Sequence, residues 1–283
     1  MRTPPLIDRL SSITDAYDAL LCDAWGVIHD GVRLFDGAKE ALLSFRAARG
    51  PVIILTNAPR PSSIIPPQLD RLGLPREAYD AVVTSGEATR AEIAARLPAR
   101  PYRLGPDKDD SLYEGLDVSF APLEEAAYIV CTGLVDDKTE TPEEYRGLLT
   151  RAAARRLPMI CANPDVVVRW GGRLIYCAGA LAQIYEDLGG AVVYGGKPHP
   201  RIYKLALQAV EKARGEAVDP RRVLAIGDGL KTDIAGANGQ GIDAVFVAGA
   251  GGVHEGATSR EAIAETLARA NVFAVAAMES LRW

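Results

Sequence analysis

Six short runs of apolar residues, many of them β-branched, separated by longer stretches, constrain this chain more than any other feature. They are Ala19–Cys22, Val52–Leu55, Ala81–Thr84, Ala191–Tyr194, Val223–Ile226 and Ala244–Val247. Helical patterns lie among them: Ala38–Ala48, a segment opening at Pro66 or Pro67 where proline suits a first turn, Arg201–Ala213 and Lys231–Asn238. Strands that are apolar throughout, rather than alternating, are buried on both faces, and strand–helix–strand order makes neighbouring strands parallel. The chain is therefore predicted to be an α/β protein with a doubly wound, Rossmann-like parallel sheet covered on both sides.

The middle of the chain breaks this rhythm. From about Glu87 to Gly190 the strands are less regular, and VVVRW-GG-RLIY reads as a hairpin turning at Gly171-Gly172. A hairpin is antiparallel, so residues 87–190 read as an α/β cap inserted into a core made of residues 1–86 and 191–283. Within the insert, PARPYRLGPDKDD is a loop cluster and TPEEYRGLLTRAAARRL a helix charged along one side.

Composition narrows the function. The net charge is -5, with Lys and Arg scattered, so no basic stripe points to nucleic acid. No apolar run approaches the ~18 residues of a membrane span. The opening MRTPPLIDRLSSITDAYDALL lacks the apolar core of a signal peptide. Cys22, Cys131, Cys161 and Cys177 form no C-x-x-C pair and mostly sit in or beside apolar runs, as buried thiols in a reducing compartment do. These features predict a soluble cytoplasmic protein acting on a small molecule, with no nucleic-acid or membrane partner and with a homo-oligomer left open. AGAGGVHEG mimics G-x-G-x-x-G but has His254 at the third glycine, and reads as a loop.

Polar residues fall where the predicted strands end. Asp23 follows Ala19–Cys22, Thr56 and Asn57 follow Val52–Leu55, Lys197 follows Ala191–Tyr194 after two glycines, and Asp228 follows Val223–Ile226. The carboxyl ends of parallel strands converge on one edge, which is where such folds bind ligands. Two carboxylates, a hydroxyl and an ammonium in one crevice suit attack by a carboxylate on a phosphoryl group. Mg²⁺ held by Asp23 and Asp228 would offset the repulsion between two anions. Lys197 would add a point charge, and Thr56, Asn57 and Lys197 with nearby backbone N–H groups would bind phosphate oxygens. The product is an aspartyl-phosphate that water hydrolyses. Asp233 would support the metal's water shell or hold Lys197. Asn163 and Asp165 in the insert read equally as turn residues or as substrate contacts.

DAWGV at 23–27, LTN at 55–57, GGKPHP at 195–200 and GDGLKTDIAGA at 227–237 resemble, in order, the four motifs of the haloacid dehalogenase (HAD) superfamily. CANPD at 161–165, the HDG after the first motif and KPHPRIY look like subfamily IIA, the NagD-like phosphatases, whose cap lies between the second and third motifs. The resemblance implies a Mg²⁺-dependent phosphatase acting on a small phosphorylated metabolite. Asp23 would be the nucleophile, Thr56 a phosphate ligand, Lys197 the charge stabiliser, and Asp228 with the Trp25 backbone carbonyl the metal ligands.

Trp25 is the departure. Phosphatases resembling this chain carry a second Asp there, which protonates the leaving oxygen, and indole cannot replace it. Loss of a positioned acid typically costs ~10²–10⁴ in rate. The sequence leaves several outcomes open: a slow enzyme or one limited to good leaving groups, a substitute acid in His29 or Asp30, or a protein that binds a phosphometabolite without turning it over. D-A-aromatic-G also resembles metal-independent 2-haloacid dehalogenases, although GDGLKTD keeps the acidic, metal-binding form.

Overall fold

The computed structural model describes residues 3–171, 173–249 and 259–283; Gly172 and His254 lie outside them. Six parallel strands form the first sheet. Three come from the start of the chain, β1 (Ala19–Cys22), β2 (Val52–Thr56) and β3 (Ala81–Thr84). Helices α1 (Ala38–Ala48) and α2 (Ile65–Leu72) lie between them, and α3 (Ser85–Ala94) follows directly.

The insert supplies β4 (Pro101–Leu104), β5 (Tyr128–Cys131), α4 (Arg146–Ala154), β6 (Met159–Cys161), the hairpin β7 (Val167–Trp170) and β8 (Arg173–Tyr176), α5 (Ala178–Asp187) and β9 (Val192–Tyr194). The chain then returns through α6 (Pro200–Arg214), β10 (Val223–Gly227), α7 (Ala235–Gly239), β11 (Asp243–Val247), α8 (Arg260–Ala270) and β12 (Ala276–Met278).

The first sheet has the order β12-β11-β10-β1-β2-β3. Every pairing in it is parallel. From β1 the chain steps outward to β3, and from β10 it steps outward the other way, so the strand order reverses between β1 and β10. A crevice opens outside the strand ends at such a reversal.

Side chains alternate across the sheet with a period of two. Leu20, Cys22, Val52, Ile54, Leu224 and Ile226 pack with Leu42 and Phe45 of α1 and Leu69 of α2. Leu21, Ile53, Ala225 and Phe246 pack on the other face with Ile202 and Tyr203 of α6 and Ile263 of α8. Both faces are buried, which is why these strands carry no polar alternation.

Five features differ from the sequence reading. Residues 101–104, read as part of a loop cluster, form β4. The strand at 192–194 does not join the first sheet: Val192, Val193 and Tyr194 pair with Met159, Ile160 and Cys161 of β6. A run of only three residues, two valines and a tyrosine, carries no mark of which sheet it will enter, and here the insert's sheet claims it. That sheet, β4-β5-β6-β9, is wholly parallel, a regularity hidden by strands of three or four residues between long loops. The strand β12 has too few residues to register as a pattern. Finally, the helix expected over 231–238 opens as a wide π-type turn, Leu230–Ile234, before α7.

The hairpin β7–β8 is antiparallel as expected. All four cysteines are free and buried. Among the described residues no helix is long and apolar enough to cross a membrane.

Candidate active site

Asp23 and Asp228 stand just beyond β1 and β10, the two strands at the reversal, and both are buried. Asp233 joins them because the wide turn after β10 directs its side chain back, where Oδ2 accepts from the Gly229 N–H at 3.0 Å. One oxygen from each of the three carboxylates lies within 4.8 Å of the others. Gly26 makes room for this cluster. Its φ is +84, and a Cβ there would lie 2.3 Å from Asp228 Oδ2.

Lys197 Nζ donates to Asp23 Oδ1 at 2.6 Å, to Asp233 Oδ1 at 2.6 Å and to the Leu55 carbonyl at 2.9 Å. Three protons meet three acceptors, so a buried ammonium is fully paired. Burial alone would lower its pKa, but Asp23, Asp233 and Asp165 outweigh burial and keep it charged. Burial pushes the Asp23 carboxyl upward and Asp233 and Asp228 reinforce it, with the Lys197 ammonium pulling the other way.

Lys197 reaches this place by a route different from that of the acids. It does not close a strand of the first sheet; the chain crosses from β9 through Gly195 and Gly196. A Cβ on Gly196 would lie 2.3 Å from Asn57 Oδ1, and one on Gly195 would lie 2.3 Å from Thr89 Oγ1. Only bare backbone passes that close. Asn57 then grips the crossing: its Oδ1 accepts from the Lys197 N–H at 2.8 Å, and its Nδ2 donates to the Lys197 carbonyl at 3.3 Å and to Asp165 Oδ1 at 2.9 Å. The Asn57 amide is thus engaged in joining the two sheets. Asn163 Oδ1 accepts from the Asp165 N–H at 3.1 Å, so CANPD forms a turn that is itself tied to the core. Thr56 Oγ1 accepts from the Ala58 N–H at 3.3 Å, leaving its own proton to donate.

The two residues considered as substitute acids serve their own loop. His29 is buried, its Nδ1 accepts from the Gly31 N–H at 3.0 Å, and burial lowers its pKa to about 4. Asp30 Oδ1 accepts from the Val32 and Arg33 N–H groups at 2.9 and 2.8 Å. Burial raises its carboxyl, but those bonds and the Arg33 guanidinium together hold it below the usual range. A neutral, engaged imidazole and a stably ionised carboxylate are both poor proton donors.

A cavity of about 490 Å³ lies between the sheets, with Thr56 and Asn57 on the core side and Asn163 and Asp165 on the insert side. A larger one, about 640 Å³, lies by Arg9, Glu40 and Trp283, away from the clustered acids. The first also touches Asp109, which lies in the stretch read from the sequence as a loop cluster, and Arg60. Asp109 is 4% exposed, and burial raises its carboxyl to about 6 against the pull of Arg60, whose Nε lies 3.6 Å away.

A folded state that holds this proton more tightly than the unfolded chain loses stability as pH rises from about 4 through about 6, by up to about 3 kcal/mol. Asp109→Asn is therefore expected to remove part of the fall in melting temperature between pH 5 and pH 7. Parallel pH profiles for the variant and the wild type would show that the carboxyl titrates normally.

Comparisons with known proteins agree with this geometry. A haloacid dehalogenase-like hydrolase family model matches residues 20–119, and a second, HAD-hydrolase-like model matches residues 194–274. The crystal structure of a haloacid dehalogenase-like family hydrolase from Brucella suis 1330 is 47% identical with a TM-score of 0.89, over 98% of this chain and 100% of that one. A possible sugar phosphatase of the HAD superfamily from Cytophaga hutchinsonii shares the fold at 21% identity, TM-score 0.80, over 98% of each chain. D-glycerol 3-phosphate phosphatase of Mycobacterium tuberculosis is 26% identical over 262 residues, covering 84% of this chain. The match spans 65% of that protein's length.

Proposed function

The chain belongs to the haloacid dehalogenase-like hydrolases, and on that premise we propose that it hydrolyses a phosphate monoester of a small metabolite, with Asp23 as the nucleophile. The observation that carries this reading is the Lys197 ammonium bridging Asp23 and Asp233 beside Asp228, at the mouth of the strand reversal.

Three buried carboxylate oxygens within 4.8 Å suit a hard divalent cation such as Mg²⁺. Asp23 and Asp228 would hold it, with the Trp25 backbone carbonyl, while Asp233 holds Lys197. When bound, the ion supplies positive charge that offsets the repulsion between phosphate and carboxylate.

An Asp23 oxygen attacks phosphorus, the bond from phosphorus to the leaving oxygen breaks, and an aspartyl-phosphate forms. Water then attacks this phosphorus, releasing inorganic phosphate and freeing Asp23. Lys197 holds the attacking carboxylate in place, and the Thr56 hydroxyl donates to a phosphate oxygen. The second sheet acts as a cap, reading the organic part of the substrate and excluding water. No side chain at position 25 protonates the leaving oxygen, so esters that leave readily as anions are turned over best.

The test is phosphate release from a panel of monoesters, with Mg²⁺ and with EDTA. Release with Mg²⁺ that disappears with EDTA is the expected result. Thermal stabilisation by a phosphometabolite with no release from any ester would mark a binding protein instead. Halide release from 2-haloacids in EDTA would mark a dehalogenase.

A further inference from the structure

Trp25 occupies the place of an acid, and the structure gives its indole a different engagement. The hairpin β7–β8 pairs only with itself among the described residues, so neither sheet's ladder holds it. Arg173 of β8 donates to the Lys138 carbonyl at 3.3 Å, and the loop after Asp23 ties the hairpin to the core. The Trp25 indole Nε1–H donates to the Arg169 carbonyl of β7 at 2.7 Å, and the Gly171 N–H donates to the Asp30 carbonyl at 3.3 Å. Gly31 lies under this junction. A Cβ there would lie 2.5 Å from Trp170 Cδ1 and 2.6 Å from the Trp25 ring, so both indoles close onto a residue with no side chain.

The consequence falls on the cavity. Its hairpin side is Val168, Trp170, Ile175 and Tyr176, joined by Trp25 itself. Trp170 and Tyr176 remain 38% and 41% exposed, a large aromatic area that the protein leaves uncovered. Of the charged groups lining the cavity from the cap, Asp109 pairs with Arg60 at 3.6 Å, Lys108 pairs with Asp137, Asp165 accepts from Asn57, and the Lys138 ammonium lies 5.7 Å from the Trp170 ring centroid. The surface that the hairpin turns to the cavity is aromatic and apolar. Planar rings bind such surfaces by stacking and by removal of apolar area from water.

We propose that Trp25 is a positioning residue whose indole N–H, bonded to the Arg169 carbonyl, seats the hairpin over the crevice, so that its aromatic wall selects phosphate monoesters of planar, aromatic alcohols. The substrate class rests on the phosphatase reading above; the tie between Trp25 and the hairpin does not. The residue that costs the enzyme its acid thus builds a wall for leaving groups that need none.

The test compares wild type with Trp25→Phe, which keeps a ring and removes the N–H, and with Trp170→Ala. Amide hydrogen exchange over residues 167–176, measured without substrate, reads the tie. Kinetics with phenyl phosphate and glycerol 3-phosphate read the wall. In Trp25→Phe the hairpin amides are expected to exchange about tenfold faster, the loss of one well-formed hydrogen bond. The ratio of kcat/KM for phenyl phosphate to that for glycerol 3-phosphate falls about tenfold, through KM for the aryl ester. Trp170→Ala lowers the same ratio without needing the tie to break.

Unchanged exchange in Trp25→Phe overturns the positioning role. An unchanged ratio in Trp170→Ala, or an equal rise in KM for both esters, overturns the aromatic class while leaving the phosphatase reading intact. If neither ester is hydrolysed by wild type, the phosphatase reading and the substrate class fall together, and the exchange result still decides the tie. Should Trp25→Phe fail to fold, Trp170→Ala alters a partly exposed side chain and decides the aromatic class by the ratio.

Discussion

Asp23→Asn is expected to abolish phosphate release, lowering kcat roughly 10⁴-fold or more, as removal of a nucleophile does when no other group can form the covalent intermediate. The substitution changes little else. Asparagine has nearly the same shape, and its amide oxygen can still accept from Lys197 Nζ, which lies 2.6 Å from Asp23 Oδ1. It also removes the carboxylate whose charge burial, Asp233 and Asp228 all disfavour, so the melting temperature should hold. The measurement is phosphate release with Mg²⁺ beside a thermal melt. A folded variant that turns over near the wild-type rate would remove Asp23 from the chemistry.

Lys197→Met is expected to be the most destabilising change at the site. Methionine replaces the stem but not the charge, leaving Asp23, Asp233 and the Leu55 carbonyl without the donor they share. Breaking a buried ion pair by removing one partner costs about 3–5 kcal/mol, because the remaining charge cannot be solvated. Denaturant unfolding checks the loss. Adding Asp233→Asn should recover part of it, since the two sites share one bond network and their effects are not additive. Equal midpoints for Lys197→Met and wild type would mean that the ammonium does not hold the acids together. Activity in the single variant should also be lost.

The two substitutions probe residues that became visible in different ways. Asp23, Thr56 and Asp228 could be located from the chain because each ends or follows a fully apolar run, and parallel strands bring such ends to one edge. Lys197 followed an apolar run too, but that run joined the other sheet. It nevertheless reaches the same crevice, because Gly195 and Gly196 let the crossing pass against Thr89 and Asn57. Lys197 thus enters the expected crevice from a strand of the other sheet.

Asn57 shows a different gap. Its position after β2 suggested a phosphate contact, whereas its amide bonds Lys197 and Asp165, residues 140 and 108 positions away. The hairpin was legible from two short strand-like runs flanking paired glycines, but not what it docks against. Asp109 and Arg60 carried no pattern at all, since nothing local distinguishes a loop acid that becomes buried.

By itself, the sequence determined the α/β class, the paired apolar faces and the loop positions of the first acids, because apolar period, turn residues and strand ends are set within a few neighbouring residues. The tertiary structure alone decided which sheet took residues 192–194, how Lys197 meets Asp23 across 174 positions, and that Trp25 bonds a carbonyl 144 positions away. Those outcomes depend on which buried donors find acceptors once both sheets are packed, and that pairing is a property of the assembled interior rather than of any segment within it.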